Sequence, residues 1–245
     1  MSDSLLTVSI RHAVGTVALD ISFRLTQPWT VLFGPSGSGK TTVLRSIGGF
    51  LRPDNGRIAS GDDVFLDTAE KIFVPPFRRR VRSSGQMERL FPNMTVMQNI
   101  LYGSGDAPHN KAESIAREVM ASFLIDHLEK RRPQELSGGE RQRTAVARAL
   151  VAAISLQGEH RPLLLLDEPL SGLDLKVRDL TLTALRKWTS KCAIPVLSVT
   201  HSLGEAFQLE AEILRLADGR IVQQGPAVTV LEEERQHLMR QLGAR

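Results

Sequence analysis

Cysteine occurs once in the 245 residues, at Cys192. No disulfide can therefore close within the chain, and the composition suits a reducing compartment. Aromatic residues make up only 5%, which leaves few side chains on which nucleobases could stack. No stretch approaches the roughly 18 to 20 consecutive apolar residues that a membrane helix needs. The first twenty residues lack a basic segment followed by an apolar run, so they do not read as a secretory signal. A large excess of one charge is also missing, the formal net charge being +4, as are internal repeats and low-complexity stretches. The expected protein is soluble and cytoplasmic, and reaches any membrane through a partner.

What is present is an ordinary globular composition, 42% apolar and 24% charged, with length enough to bury a sizeable core. Basic residues cluster at Arg78, Arg79, Arg80 and Arg82, and again at Arg141, Arg143 and Arg148. With so few aromatic partners, these clusters are expected to be a solvated face rather than a nucleic-acid surface.

Two short segments, Leu6 to Ile10 and Val17 to Leu25, alternate apolar and polar residues, the pattern of half-exposed antiparallel strands. Thr30 to Phe33 reads as a buried strand that runs into a glycine-rich turn, and Pro53-Asp54-Asn55-Gly56 is a turn before a strand near Arg57 to Ala59. From about Asn93 to Ile154 the pattern becomes helical. Ala112 to Leu128 places Ile115, Val119, Phe123, Leu124 and Leu128 close to helical spacing. Leu163 to Leu166 is a continuous apolar run ending in two carboxylates, as a central parallel strand reads when both faces are covered. Pro195 to Thr200 resembles its neighbour. A helix, a hairpin around Asp218-Gly219 and an amphipathic helix complete the pattern. The predicted fold class is α/β, a parallel-sheet core with an antiparallel β layer at one side and an inserted helical lobe.

Gly34-Pro35-Ser36-Gly37-Ser38-Gly39-Lys40-Thr41 matches G-x-x-x-x-G-K-[ST] between a strand and a helix. Glycines let successive backbone N–H groups turn inward, and the helix that follows, through Thr42, presents its positive end to the same anion. Lys40 is expected to reach the β- and γ-phosphates of a nucleoside triphosphate, and the Thr41 hydroxyl to ligate Mg²⁺.

Asp167 and Glu168 end the leucine strand, where ligands bind in open α/β sheets. Asp167 is the candidate for holding Mg²⁺ through water, and Glu168 for polarising the attacking water. Pro169 is expected to bias Glu168 towards an extended backbone.

Ser137-Gly138-Gly139-Glu140 has the S-x-x-E spacing of a capping box. Its two glycines leave the first amides of the following helix uncovered, which makes a second anion-binding helix end without a lysine. One chain already carries a complete phosphate loop, so this second helix start suggests the nucleotide of a second subunit.

Leu136 to Arg143, taken with the phosphate loop and the strand-end carboxylates, resembles the ABC ATPases, whose signature is LSGGQ with Glu140 here at the glutamine position. The resemblance covers nearly all of residues 1–245 as a single P-loop NTPase domain, with a helical subdomain over about 87–155. It implies that Gln86 contacts Mg²⁺ and water and relays to a membrane partner, that Asp174 belongs to the turn Ser171 to Asp174 beside the nucleotide, and that His201 senses the γ-phosphate. It implies a homodimer of facing cassettes, each ATP lying between one chain's Gly34–Thr42 loop and the other's Ser137–Glu140 turn. It also implies transmembrane permease subunits and a periplasmic substrate-binding protein as partners, with the chain peripheral on the inner face of the membrane.

Asp67 to Val81, then Leu90-Phe91-Pro92, looks most like the molybdate importer ATPases. Residues 87–102 should line the groove that receives the permease, although Met94, Val96 and Met97 read equally well as core. The aromatic residue that usually stacks on adenine is missing, with only His12 near its place. The chain also stops short of an anion-sensing C-terminal domain, so feedback through one is not expected. Two rival readings are a chromosome or repair ATPase acting on DNA, and a regulatory cassette that binds ATP without cleaving it. The roughly hundred residues from Lys40 to Ser137 leave no room for the coiled coil or zinc insert of the first, and Glu168 with His201 argues against the second.

Overall fold

In β1 (Leu6–Val14) and β2 (Val17–Leu25), every second residue turns inward: Leu6 faces Leu25, Val8 faces Phe23 and Ile10 faces Ile21 across an antiparallel register. All six are buried, while Asp20, Ser22 and Arg24 on the opposite face are exposed, so the period-two pattern is satisfied by a sheet covered on one side. The computed structural model describes residues 4–15, 17–85, 90–105, 108–156 and 162–243. The chain forms two compact units, Met1–Arg79 with Leu197–Arg245, and Arg80–Val196.

In the first unit, β3 (Trp29–Phe33) is buried on both faces up to Leu32 and leads through the glycine-rich loop into α1 (Lys40–Gly48). The helix stops at Gly49, whose φ of 81° lets its N–H turn back to the carbonyls of Arg45 and Ser46. β4 (Asn55–Ser60) joins the far edge of β1, and β5 (Asp63–Asp67) and β6 (Ile72–Phe73) extend the same antiparallel sheet, in order β2-β1-β4-β5-β6.

The solvated face expected at Arg78 to Arg82 holds for Arg78, which is exposed, but Arg80 and Arg82 are half-buried and Arg79 departs from it altogether. Arg79 is 2% exposed, donating to the carbonyls of Val74, Ser46, Ile47 and Phe65 and lying over the rings of Phe65 and Phe73. Burial without a carboxylate partner lowers its pKa to about 10, so it stays charged at neutral pH. A guanidinium with five N–H groups can serve several carbonyls at once, which makes arginine the cation for such an interior site.

The second unit opens with β7 (Val81–Ser84), continues through α2 (Val96–Leu101), α3 (His109–Ser122) and α4 (Gly138–Ser155), then β8 (Leu163–Asp167) and α5 (Leu175–Lys191). β7 and β8 pair in parallel, Val81 with Leu163 and Ser84 with Leu166. α4 is the core helix: Ala145, Val146, Ala147, Leu150, Val151 and Ala153 are buried. Its arginines are also drawn inward rather than solvated, Arg141 donating to Leu136 O and Arg148 stacking under Phe91. Val96 and Met97 belong to the core, and Met94 is half-buried. Asn99 is fully buried and ties down the loop before α2, accepting from Phe91 N and donating to the carbonyls of Phe91, Met94 and Thr95.

The helix expected through Leu128 ends earlier. α3 closes at Ser122, Leu124 adopts φ 57° and is 41% exposed, and Ile125 N returns to Met120 O. That return bond satisfies a last-turn carbonyl and sends Ile125 and Leu128 into the core from a new direction, so helical spacing alone overran the cap.

The chain re-enters the first unit through β9 (Val196–Val199), followed by α6 (Leu203–Gln208), the hairpin β10 (Glu212–Ala217) and β11 (Arg220–Pro226), α7 (Ala227–Val230) and α8 (Glu232–Gly243). Here the strand order is β11-β10-β3-β9, with β10 parallel to β3 and Trp29 Nε1 donating to Ser198 Oγ at 3.0 Å. Asp218 and Gly219 at φ 46° and 73° make the tight turn, and Gly219 O accepts from Asp20 N. The parallel core, antiparallel layer and helices expected from the sequence are all present. Among the described residues no helix is long and apolar enough to cross a membrane.

Candidate functional site

The loop Gly34–Thr41 is shaped by what its glycines permit. A Cβ on Gly34 would clash with the Leu216 carbonyl oxygen, and one on Gly39 would press into Leu19 of β2. Gly37 and Gly39 adopt φ 78° and 102°, which bulkier residues resist. Pro35, Ser36 and Gly37 form the exposed crest, while Ser38 and Lys40 are buried.

Lys40 Nζ donates to Gly34 O at 2.8 Å and Pro35 O at 2.7 Å, so the cation is held on the rim of its own loop. Ser38 Oγ is buried with no hydrogen-bond partner among the described residues. An orphaned donor, a buried lysine and a helix start with no acidic residue in its first turn make this loop fit a polyphosphate. Thr41, at the start of α1, is exposed and Thr42 half-buried.

β9 leads from the same sheet to His201. Its flanks are pinned: Thr200 Oγ1 donates to Glu205 Oε2 at 2.7 Å, and Ser202 caps α6 by accepting from Glu205 N. The backbone of His201 is thereby fixed while its ring stands exposed.

His12, the residue nearest the place of an adenine-stacking aromatic, shares a face of the hairpin with Leu19, its cross-strand partner. His12 Nδ1 lies 3.0 Å from Asp54 Oδ2, which also accepts from Ala13 N. That backbone N–H, then the His12 hydrogen bond, hold the Asp54 carboxyl below its ordinary range. A cleft of about 840 Å³ opens here, lined by His12, Leu19, Asp54, Asn55, Asp218 and Arg220 among others.

In the second unit, the capping box forms as its spacing predicts. Ser137 Oγ accepts from Glu140 N, and Glu140 Oε2 accepts from Ser137 N at 2.7 Å. The Ser137 N–H is the main reason the Glu140 carboxyl sits below its usual range. A Cβ on Gly138 would meet nothing, so the mouth of this helix start is open. Gly139 is glycine for a different reason: a Cβ there would come within 2.8 Å of Leu173 in the turn that follows β8.

Asp167 is buried at the end of β8, and Glu168 follows half-buried. The extended backbone expected for Glu168 is not observed. Its φ is 50°, a left-handed conformation that costs a non-glycine residue about 1–3 kcal/mol. A tight turn and one contact from α4 override the bias from Pro169: Glu168 O accepts from Ser171 N and Ser171 Oγ within the turn and from Gln142 Nε2. Gln142 was not among the residues singled out from the sequence. In the sequence it stands between Arg141 and Arg143, ahead of the alanine- and valine-rich part of α4, so nothing local marks it for burial. Asp174 caps α5, its carboxylate accepting from Val177 N at 3.0 Å.

Gln86 lies outside the described residues. Ser137 to Glu140, Asp167, Glu168 and Asp174 belong to one unit, and Gly34 to Thr42 and His201 to the other. Among the described residues no cluster of three or more His, Cys, Asp or Glu could hold a metal unaided. A cation would have to be completed by ligand oxygens, as Mg²⁺ commonly is by phosphates.

A profile of the ABC transporter family matches residues 19–171. The chain is 42% identical over 225 residues to the molybdenum import ATP-binding protein ModC of Brucella melitensis, an alignment covering 92% of this chain and 60% of that protein. The ModC proteins of Mesorhizobium japonicum and Rhodospirillum rubrum are 39% and 37% identical, over 92% and 93% of this chain and 59% and 60% of theirs. The chain thus spans about 60% of the length of the curated relatives it matches. Among solved structures, the dimeric structure of MJ0796, titled a bacterial ABC transporter cassette, aligns with a TM-score of 0.74 at 24% identity, over 91% of this chain and 98% of that one. A post-hydrolysis structure of MJ0796 with ADP and Pi aligns with a TM-score of 0.72 at 24% identity, over the same shares. These two likenesses bear on the fold.

Proposed function

Because this chain belongs to the ABC transporter family, we propose that it is the ATP-hydrolysing subunit of an importer, working as a homodimer beneath transmembrane permease subunits. The observation that carries this reading is the presence in one chain of two unlike anion-binding helix starts. One has the buried Lys40 and the orphaned Ser38 hydroxyl. The other has only the serine cap and the open Gly138. A chain binding one triphosphate by itself needs only the first. Two copies facing head to tail use both.

The residue roles follow from chemistry. The amides of Gly34 to Thr42 and the Lys40 ammonium bind the phosphates, and Lys40 exchanges its two loop carbonyls for phosphate oxygens. The cleft at His12, with Asp54 orienting the imidazole, accommodates the base. Thr41, Gln86 and Asp167 are the candidates for Mg²⁺, which when bound neutralises charge on the β- and γ-oxygens. Glu168 polarises the attacking water, His201 senses the γ-phosphate, and Asp174 stands in the turn beside the nucleotide. Residues 1–245 act as one nucleotide-binding domain, with about 87–155 as its helical part. Closure on ATP and release after hydrolysis then shift the dimer between two states, which is the work done on the permease.

The cargo reading is molybdate or a similar small oxyanion, supported by the names of relatives at 37 to 42% identity. A periplasmic binding protein is the expected donor of that anion, and the chain sits on the inner face of the membrane.

The test has two arms. Glu168→Gln should lose ATP turnover by about 10²-fold or more and accumulate as a nucleotide-bound dimer on gel filtration. Turnover at the wild-type rate would remove Glu168 from its role. In proteoliposomes that reconstitute the chain with a molybdate permease and its binding protein, molybdate should stimulate hydrolysis and sulfate should not. Equal stimulation by both anions would leave the ATPase assignment standing and reject molybdate as the specific cargo, and stimulation by neither would reject a small oxyanion altogether.

A further inference from the structure

The residue following the strand-end Asp167 adopts a backbone conformation that its own sequence resists, and something must hold it there. Glu168 has φ 50° although it is neither glycine nor asparagine and precedes proline. Its carbonyl oxygen receives three donors. Two belong to the same tight turn, Ser171 N at 3.2 Å and Ser171 Oγ at 3.1 Å. The third is Gln142 Nε2, 26 residues away in the chain at 3.0 Å, which also reaches Ser171 Oγ at 3.3 Å. Gln142 is buried, and of these three donors its amide is the one that reaches the Glu168 carbonyl from outside the turn; without it the carbonyl keeps the two Ser171 donors but loses its tie to α4.

Gln142 stands in the second turn of α4, the helix that begins at the Ser137 cap. Gly139, one turn earlier, is packed against Leu173 of the same post-β8 turn, and Arg143 is attracted by both Glu140 and Asp174. The start of α4 and the segment from Glu168 to Asp174 therefore meet at two neighbouring points, Gln142 and Gly139, with Arg143 attracted to Asp174 beside them. Of these α4 residues, Gln142 is the one shown bonding the main chain of Glu168.

We propose that Gln142 is a positioning residue for hydrolysis: its amide holds Glu168 in the left-handed backbone conformation from which the carboxylate acts, and ties that carboxylate to the helix opening at the Ser137–Glu140 turn. The inference rests on Glu168 being the water-polarising group. Because α4 also carries the turn that meets the partner's triphosphate, the amide links the hydrolytic carboxylate of one site to the recognition element of the other within a single chain.

The experiment uses the full chain with ATP and Mg²⁺, comparing Gln142→Leu, Ser171→Ala, Glu168→Gln and the double variant Gln142→Leu/Glu168→Gln. Leucine has nearly the bulk of glutamine and no donor. Gln142→Leu should lower kcat about 10- to 100-fold with KM for ATP and fluorescent-nucleotide affinity within about threefold of wild type. Ser171→Ala, on a less buried turn, should lower kcat several-fold in the same sense, and it carries the test if the leucine variant does not fold. The decisive readout is the double variant, which should hydrolyse no more slowly than Glu168→Gln alone, since there is then no carboxylate to position. Wild-type kcat in both Gln142→Leu and Ser171→Ala overturns the proposal while leaving Glu168 in its role. A further loss in the double variant, or a loss confined to KM, also overturns it, because damage independent of Glu168 would then be the cause. Wild-type turnover by Glu168→Gln would instead remove the premise.

Discussion

Arg79 Nη1 donates to the Ile47 carbonyl at 2.7 Å, which joins the end of the phosphate-loop helix to the antiparallel sheet by a single buried cation. The same nitrogen donates to Ser46 O at 2.8 Å, and the other guanidinium nitrogens reach Val74 O and Phe65 O. The last carbonyls of α1 carry the negative end of its dipole. Arg79 complements that end just as Lys40 and the loop amides prepare the other for an anion.

Replacing Arg79 with methionine should therefore cost more than a surface arginine would. Four carbonyl oxygens lose the arginine donor, although Ser46 O and Phe65 O each keep a backbone N–H, and the expected destabilisation is about 3 kcal/mol, or roughly 6–12 °C in melting temperature for a chain of this size. Arg79→Lys, which can reach fewer of the four, should fall between. Calorimetry would check both, and a methionine variant that melts with the wild type would show that the buried guanidinium contributes nothing net.

Two glycine substitutions should separate folding from partner recognition. In Gly34→Ala the new methyl group meets the Leu216 carbonyl, so stability should drop by about 1–3 kcal/mol and nucleotide affinity with it. In Gly138→Ala the methyl group meets nothing within its own chain. That variant should fold and bind ATP as a monomer like the wild type, yet lose hydrolysis and the trapped dimer because the methyl group covers the amides offered to the partner's phosphates. Ser137→Arg should behave likewise and more severely. Weakened monomer binding, measured by fluorescent-nucleotide titration, would refute the assignment of this turn to the partner's nucleotide.

The capping box should also set a small pH dependence. Glu140 is held below its ordinary value of 4.5, first by the Ser137 N–H and then by the Ser137 side chain. A carboxyl depressed on folding stabilises above its unfolded value and loses that contribution as pH falls through its folded value. Glu140→Gln should melt slightly below wild type at pH 7, and the gap should close as the pH falls below 4.5 and narrow in high salt. A gap that persists unchanged at pH 3 would assign the difference to packing rather than charge.

Much of the fold was legible because its signals are local. Leu6, Val8 and Ile10 alternate, Leu163 to Leu166 run unbroken, and Ser137 and Glu140 stand three apart, so each pattern is set by neighbours within one element. The phosphate loop is legible for the same reason: glycines at 34, 37 and 39 are read as backbone freedom before any coordinates exist. The end of α3 was not, because the hydrophobic spacing continues past Ser122 while the chain turns at Leu124 to return a hydrogen bond to Met120.

By itself the sequence determined which short segments become strands and helices, where the glycine-rich loop and the serine-capped helix start lie, and which residue types are available for chemistry, since all of these depend on residues within a few positions of one another. Only the tertiary structure decided that Arg79 would be an interior cation rather than a surface charge, that Gly34 and Gly139 are glycines for the sake of Leu216 and Leu173, and that Glu168 would be turned against its proline by Gln142. The physical reason is that a buried polar group takes whatever partner the packing brings within about 3 Å, and that partner can lie anywhere in the chain.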